Sequence, residues 1–124
     1  MFVPARFRDL LGKEFYVTIT PEQCLQIYPQ DRWEAVLDKL RLMTQQEQRK
    51  LRQLFSKAVQ CVPDAQGRIQ IPQELRDRVG LVKDVTVVGT GLQAQIWDTE
   101  TWKSIEEMED DSENIEKAME ELGF

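Results

Sequence analysis

The stretch Asp64-Ala-Gln-Gly-Arg68 places a carboxylate, a glycine and a guanidinium within one tight turn. Gly67 suits a positive-φ position, where any side chain would be strained. Arg68 carries a planar fork that can grip a phosphate, or the acceptor edge of guanine, with two parallel hydrogen bonds. A carboxylate repels phosphate, so Asp64 is expected to organise the turn by an Asx-type bond or to hold Arg68. The competing use of Arg68 is an ordinary surface salt bridge. Arg8 and Arg76 stand on short helical segments. There a phosphate contact competes with pairing to a neighbouring acid such as Asp77.

Other chemistry is poorly provided for. The chain has no histidine, the usual general base near neutral pH. It has no Gly-rich phosphate loop, no nucleophile motif and no carboxylate cluster outside its last residues. No enzyme, cofactor or small-molecule substrate is therefore expected. Cys24 and Cys61 show no CxxC spacing. Reduced, buried thiols are expected rather than a metal site.

The elements that must position the turn come as a repeat. Val3-Pro-Ala-Arg-Phe-Arg-Asp-Leu-Leu-Gly12 reappears as Ile71-Pro-Gln-Glu-Leu-Arg-Asp-Arg-Val-Gly80, 68 positions on. Val17-Thr-Ile19 parallels Val85-Thr-Val87. Tyr28 and Trp33 parallel Trp97 and Trp102, now 69 positions apart. Such periodicity means two copies of one supersecondary unit. Proline before and glycine after 4–11 and 72–79 predict two short helices. β-Branched runs predict strands over 15–20, 25–28, 85–88 and 92–97, paired as hairpins. Short strands over 60–63 and 68–71 flank the 64–67 turn. Helical spacing of Trp33, Val36, Leu37 and Leu40 predicts a helix over 31–42. A capping box at Thr44-Gln-Gln-Glu47 opens a longer helix linking the copies.

At 124 residues, 41% hydrophobic and 31% charged, the composition is that of a soluble globular protein. No apolar run approaches the roughly 20 residues of a membrane span. No export signal is evident, so a cytoplasmic location is expected. The net charge of −6 is unevenly spread: residues 103–124 hold nine acids against two lysines, −7, leaving +1 for the rest. A near-neutral body can still carry a basic face. Trp33, Trp97, Trp102 and Tyr28 are expected as core or subunit-interface anchors.

Asp64, Gly67, Arg68, Ile69, Ile71, Pro72, Leu75, Arg76 and Gly80 together resemble the AbrB-like swapped-hairpin DNA-binding unit. Two such units, each closing on a Tyr/Trp with a second Trp five residues on, resemble the MraZ family specifically, to about Trp102. The resemblance implies an α+β fold. Its tandem β-β-α-β-β repeats would interlock about a pseudo-twofold axis into a barrel-like core, with connecting and C-terminal helices. It divides the chain into a first repeat (1–43), a linking helix (44–59), a complete second repeat (60–103) and an acidic tail (104–124). It also implies a sequence-specific transcriptional regulator, nucleoid-associated, acting as an oligomeric ring on double-stranded promoter repeats of a division and cell-wall gene cluster. The DNA-contacting residues would be Asp64, Gly67, Arg68, Arg76 and Arg8. By the 68-residue offset, the partners of Asp64 and Arg68 fall before Met1. The first repeat is thus expected to lack its first strand and its Asp-x-x-Gly-Arg turn, leaving a sheet edge open. The rival expectation is an assembly or protein-interaction module that has lost specific DNA binding.

Overall fold

Alternating β-branched and aromatic residues make Phe15–Ile19 (β1) and Leu25–Pro29 (β2) an antiparallel hairpin, Phe15 opposite Pro29 and Ile19 opposite Leu25. The computed structural model describes residues 1–124. Val85–Gly89 (β4) and Ala94–Asp98 (β5) build the same hairpin in the second repeat. Val59–Cys61 (β3) lies along the outer edge of β1, with Cys61 opposite Phe15. β2 and β5 join the halves, so the sheet runs β3-β1-β2-β5-β4 and is antiparallel throughout.

The joint between the halves is symmetric. Leu25 faces Ile96, Gln26 faces Gln95 and Ile27 faces Ala94. Gln26 and Gln95 occupy the same repeat position, and exchanging the copies turns the Leu25–Ile96 pair into Ala94–Ile27. A pseudo-twofold axis therefore passes between the two glutamines. Met1 and Ile69, another equivalent pair, exchange two hydrogen bonds of 2.7 Å. Val3 N–H donates to Gly67 O at 2.8 Å, and Phe2 bridges Arg68 antiparallel. The strand expected over 68–71 is reduced to this short pairing. On its far side Pro72 has no N–H to extend the ladder.

Ala5–Leu11 (α1) and Gln73–Val79 (α5) begin after Pro4 and Pro72 and stop at Gly12 and Gly80. Gly80 is left-handed (φ 69°, ψ 31°), whereas Gly12 leaves with ψ −161° and turns the chain directly towards β1. Gln30–Arg41 (α2) and Thr99–Glu109 (α6) follow the two hairpins in equivalent places. The capping box forms: Thr44 Oγ1 accepts from Glu47 N–H, and Glu47 Oε1 accepts from Thr44 N–H. The single linking helix expected over 44–59 is instead two, Gln45–Lys50 (α3) and Arg52–Ser56 (α4), broken at Leu51 (φ −101°, ψ 4°). The buried Thr18 hydroxyl donates to Leu54 O, tying that turn to the sheet and away from the α3 axis. Ser112–Leu122 (α7) ends the chain.

Both copies supply matching residues to one core, among them Val3 and Ile71, Leu11 and Val79, and Ile27 and Ile96. Full burial of each large apolar side chain contributes about 1.5–3 kcal/mol. The aromatic pair is duplicated too: Tyr28–Trp33 ring centroids lie 5.5 Å apart and Trp97–Trp102 5.6 Å. Trp33 and Trp97 are buried and Trp102 is half-buried, so these rings are core anchors. Cys24 and Cys61 are buried free thiols, and burial pushes Cys61 up to about 11. No helix is long and apolar enough to cross a membrane.

Candidate nucleic-acid interface

The 64–68 turn is built around one carboxylate. Asp64 Oδ1 accepts from the backbone N–H groups of Gln66 and Arg68, both at 2.9 Å. Two backbone bonds close the loop: Gly67 N–H to Asp64 O and Asp64 N–H to Arg68 O, each 2.9 Å. Asp64 Oδ2 accepts from Arg68 Nε at 2.9 Å. The Arg68 backbone N–H leads the causes that hold this carboxyl below its ordinary value, followed by the Arg68 side chain and the Gln66 N–H. Asp64 thus does both jobs expected of an organiser, fixing the backbone and aiming the arginine.

The contact with Asp64 uses only Nε of Arg68. Neither terminal nitrogen of that guanidinium has a hydrogen-bond partner in the chain. Side-chain exposure is 53% for Arg68 and 45% for Asp64. The surface salt bridge and the outward-facing fork therefore coexist. An exposed pair is weak enough for a phosphate to share the guanidinium. Arg68 also stands over the exposed Phe2 ring, 5.9 Å from its centroid. The offset between the repeats does not single out Phe2. The pseudo-twofold pairing that sets it opposite Arg68 does.

Gly67 has φ 80°, as its glycine requires. It also accommodates a close neighbour: a Cβ there would lie 2.6 Å from Arg8 Nη2. Arg8 reaches from α1 with weak bonds to Val3 O and Gln66 O, both 3.4 Å. Its guanidinium therefore lies across the back of the turn. Arg8 joins the site, but as a brace. Its repeat partner Arg76 sits elsewhere, lining a groove between residues 59–62 and 69–85 with a volume of about 760 Å³. Arg76 Nη2 donates to Gln73 Oε1 at 2.8 Å, and Gln73 in turn donates to Asp77. The expected pairing of Arg76 with Asp77 is thus relayed through a neutral amide. The structure groups Asp64, Gly67, Arg68 and Arg8, and leaves Arg76 outside the cluster.

Nearby, Lys57 pairs with Glu74 and holds that carboxyl below the usual glutamate range. This contact pins α4 to α5 across the repeat boundary, and no spacing rule signals it. No cluster of His, Cys, Asp or Glu could hold a metal ion.

Comparison with known proteins agrees with this duplicated architecture. A family model described as "MraZ protein, putative antitoxin-like" matches twice, over residues 1–53 and 54–122. A curated relative from Carboxydothermus hydrogenoformans, "Transcriptional regulator MraZ", is 38% identical over 107 residues, covering 84% of this chain and 75% of that protein. By both matches, the chain belongs to the MraZ family.

Proposed function

We propose that the chain is a transcriptional regulator, not an enzyme, that binds double-stranded DNA through its 64–68 turn. The observation that carries this reading is the free Arg68 fork, aimed by Asp64 at an exposed turn tip. Arg68 takes a guanine edge or a phosphate, since turn-and-ribbon readers reach base edges with side chains of this length. Asp64 and Gly67 hold the turn, Arg8 braces it, and Arg76 adds a phosphate contact from the neighbouring groove. One turn binds weakly. A homo-oligomeric ring on repeated promoter sites, such as those of a division and cell-wall gene cluster, gains through effective concentration. That role places the protein in the cytoplasm, on the nucleoid.

The test is selection from a random duplex pool. Wild-type protein should enrich a recurrent short motif. Arg68→Ala should enrich none while keeping its helix content and its mass in solution. Equal enrichment of one motif by both would remove Arg68 from the contact. A second reading, an assembly or protein-interaction module, is favoured by the −7 charge of residues 103–124. A defined oligomer that enriches no motif would support it over DNA binding.

A further inference from the structure

Phe2 is a large apolar side chain left 60% exposed beside the 64–68 turn. The backbone holds it there. Val3 N–H donates to Gly67 O at 2.8 Å, and Ile69 N–H donates to Met1 O at 2.7 Å. These two bonds flank the antiparallel Phe2–Arg68 bridge and make it a non-hydrogen-bonded pair. Of the two antiparallel pairings, that is the one that brings opposite side chains closer. Alternation then decides where they point. Val3 and Ile69 are buried in the core, so Phe2 and Arg68 share the outward face. The Phe2 ring belongs neither to the core nor to any aromatic pair. Its one ring contact is the Arg68 guanidinium, 5.9 Å from its centroid.

The fold does not require an apolar residue at this position. Its equivalent in the second repeat, 68 positions on, is the exposed polar Gln70. A phenyl ring has no hydrogen bond to offer a phosphate or a polar base edge. In the major groove the base edges present one apolar group, the C5-methyl of thymine, and phenylalanine is a residue that packs on it. An Arg68 fork on the O6 and N7 of guanine brings the neighbouring ring into that same groove. Successive bases are about 3.4 Å apart. A ring centred 5.9 Å from the guanidinium carbon therefore falls within two base pairs of that guanine.

We infer that Phe2 is a second specificity-determining residue, packing on the methyl of a thymine within two base pairs of the guanine that Arg68 takes. The inference rests on the DNA reading of the 64–68 turn and deepens it. Arg68 supplies polar recognition of one base pair, and Phe2 supplies apolar recognition of a neighbour. Phe2 neutralises no phosphate, so it adds sequence preference without adding salt dependence.

The test is binding of the full chain to the selected duplex with each thymine replaced in turn by deoxyuridine, which removes only the methyl. Wild type should lose about fourfold in affinity at one thymine within two base pairs of the guanine, as burying one carbon-sized apolar group predicts. Phe2→Ala should bind more weakly and ignore deoxyuridine at that position. It should keep its melting temperature, its salt dependence and its discrimination at the G·C pair. Phe2→Leu should recover part of the methyl response. No response at any thymine in wild type, or an equal response in Phe2→Ala, would overturn the inference. Loss of G·C discrimination in Phe2→Ala would also overturn it, by making the ring a support for Arg68 alone. The two readings fail separately. If Arg68→Ala lost G·C discrimination while wild type ignored every methyl, the Arg68 contact would stand and the role of Phe2 would fall. Enrichment of no motif by wild type would remove both.

Discussion

β1 and β4 are the same strand of the repeat in two settings. β1 has β3 along its outer edge, and its first residue, Phe15, is fully buried. β4 ends the sheet order, and the hairpin register sets the half-buried Val85, facing Asp98, where Phe15 faces Pro29. Tyr16 stacks on Trp33 at 5.2 Å, while its counterpart Thr86 shares a hydroxyl–hydroxyl hydrogen bond of 2.9 Å with Thr99. One hairpin register thus carries different side chains at its opening pairs in the two repeats. The interior equivalents Ile27 and Ile96 stay alike because the pseudo-twofold axis runs close by.

The sharpest way to break this comparison is truncation at the two equivalent sites. Phe15→Ala should cost about 3–5 kcal/mol in urea unfolding, as a large core deletion does. Val85→Ala, at the half-buried equivalent, should cost about 1 kcal/mol. Equal costs would mean that burial does not set the difference. Next in size are the glycines. Gly91 (φ 97°) meets open space, so Gly91→Ala should cost only the left-handed penalty of about 1–2 kcal/mol. Gly67→Ala adds a collision with Arg8 and should cost more. In an Arg8→Ala background the excess should vanish, which a double-mutant cycle would measure.

The equivalent arginines extend the contrast to the site. Arg8→Ala should speed amide exchange at Gly67, beside the Gln66 carbonyl that Arg8 bonds, and Arg76→Ala should leave it unchanged. Titration sharpens the turn itself. The Asp64 carboxyl lies below its ordinary value of 3.8 in the folded chain. Its contribution is therefore present above that value and lost as pH falls through the lower folded one. An NMR titration should show an Asp64 midpoint below 3.8 and loss of the slow Gln66 and Arg68 amides over the same window. The smallest effect is kinetic: Cys61, raised to about 11 by burial, should react slowly with iodoacetamide at mildly alkaline pH until the chain is unfolded.

Much of the framework was legible in the residues because its signals are local. Prolines and glycines marked α1 and α5, β-branched runs marked the hairpins, and Thr44 with Glu47 marked the start of α3. What escaped depends on distant neighbours. The break at Leu51 follows from Thr18 reaching Leu54, 36 positions away. The Phe55–Trp33 contact, 5.6 Å between ring centroids, likewise joins α4 to α2 through space. At the site, Asp64, Gly67 and Arg68 were readable from the turn they share. Arg8 and Arg76 looked interchangeable because the repeat makes them so. Only the fold shows that Arg8 has Gly67 behind it while Arg76 faces a groove.

The central claim is that the Asp64-organised turn reads DNA through Arg68. Its most direct test is fluorescence anisotropy on the selected duplex and on duplexes with single base-pair changes, for wild type and Arg68→Ala at one salt concentration. The account predicts that wild type discriminates at one G·C pair by about 1–3 kcal/mol and that Arg68→Ala loses that discrimination. Unaltered discrimination in Arg68→Ala would contradict it.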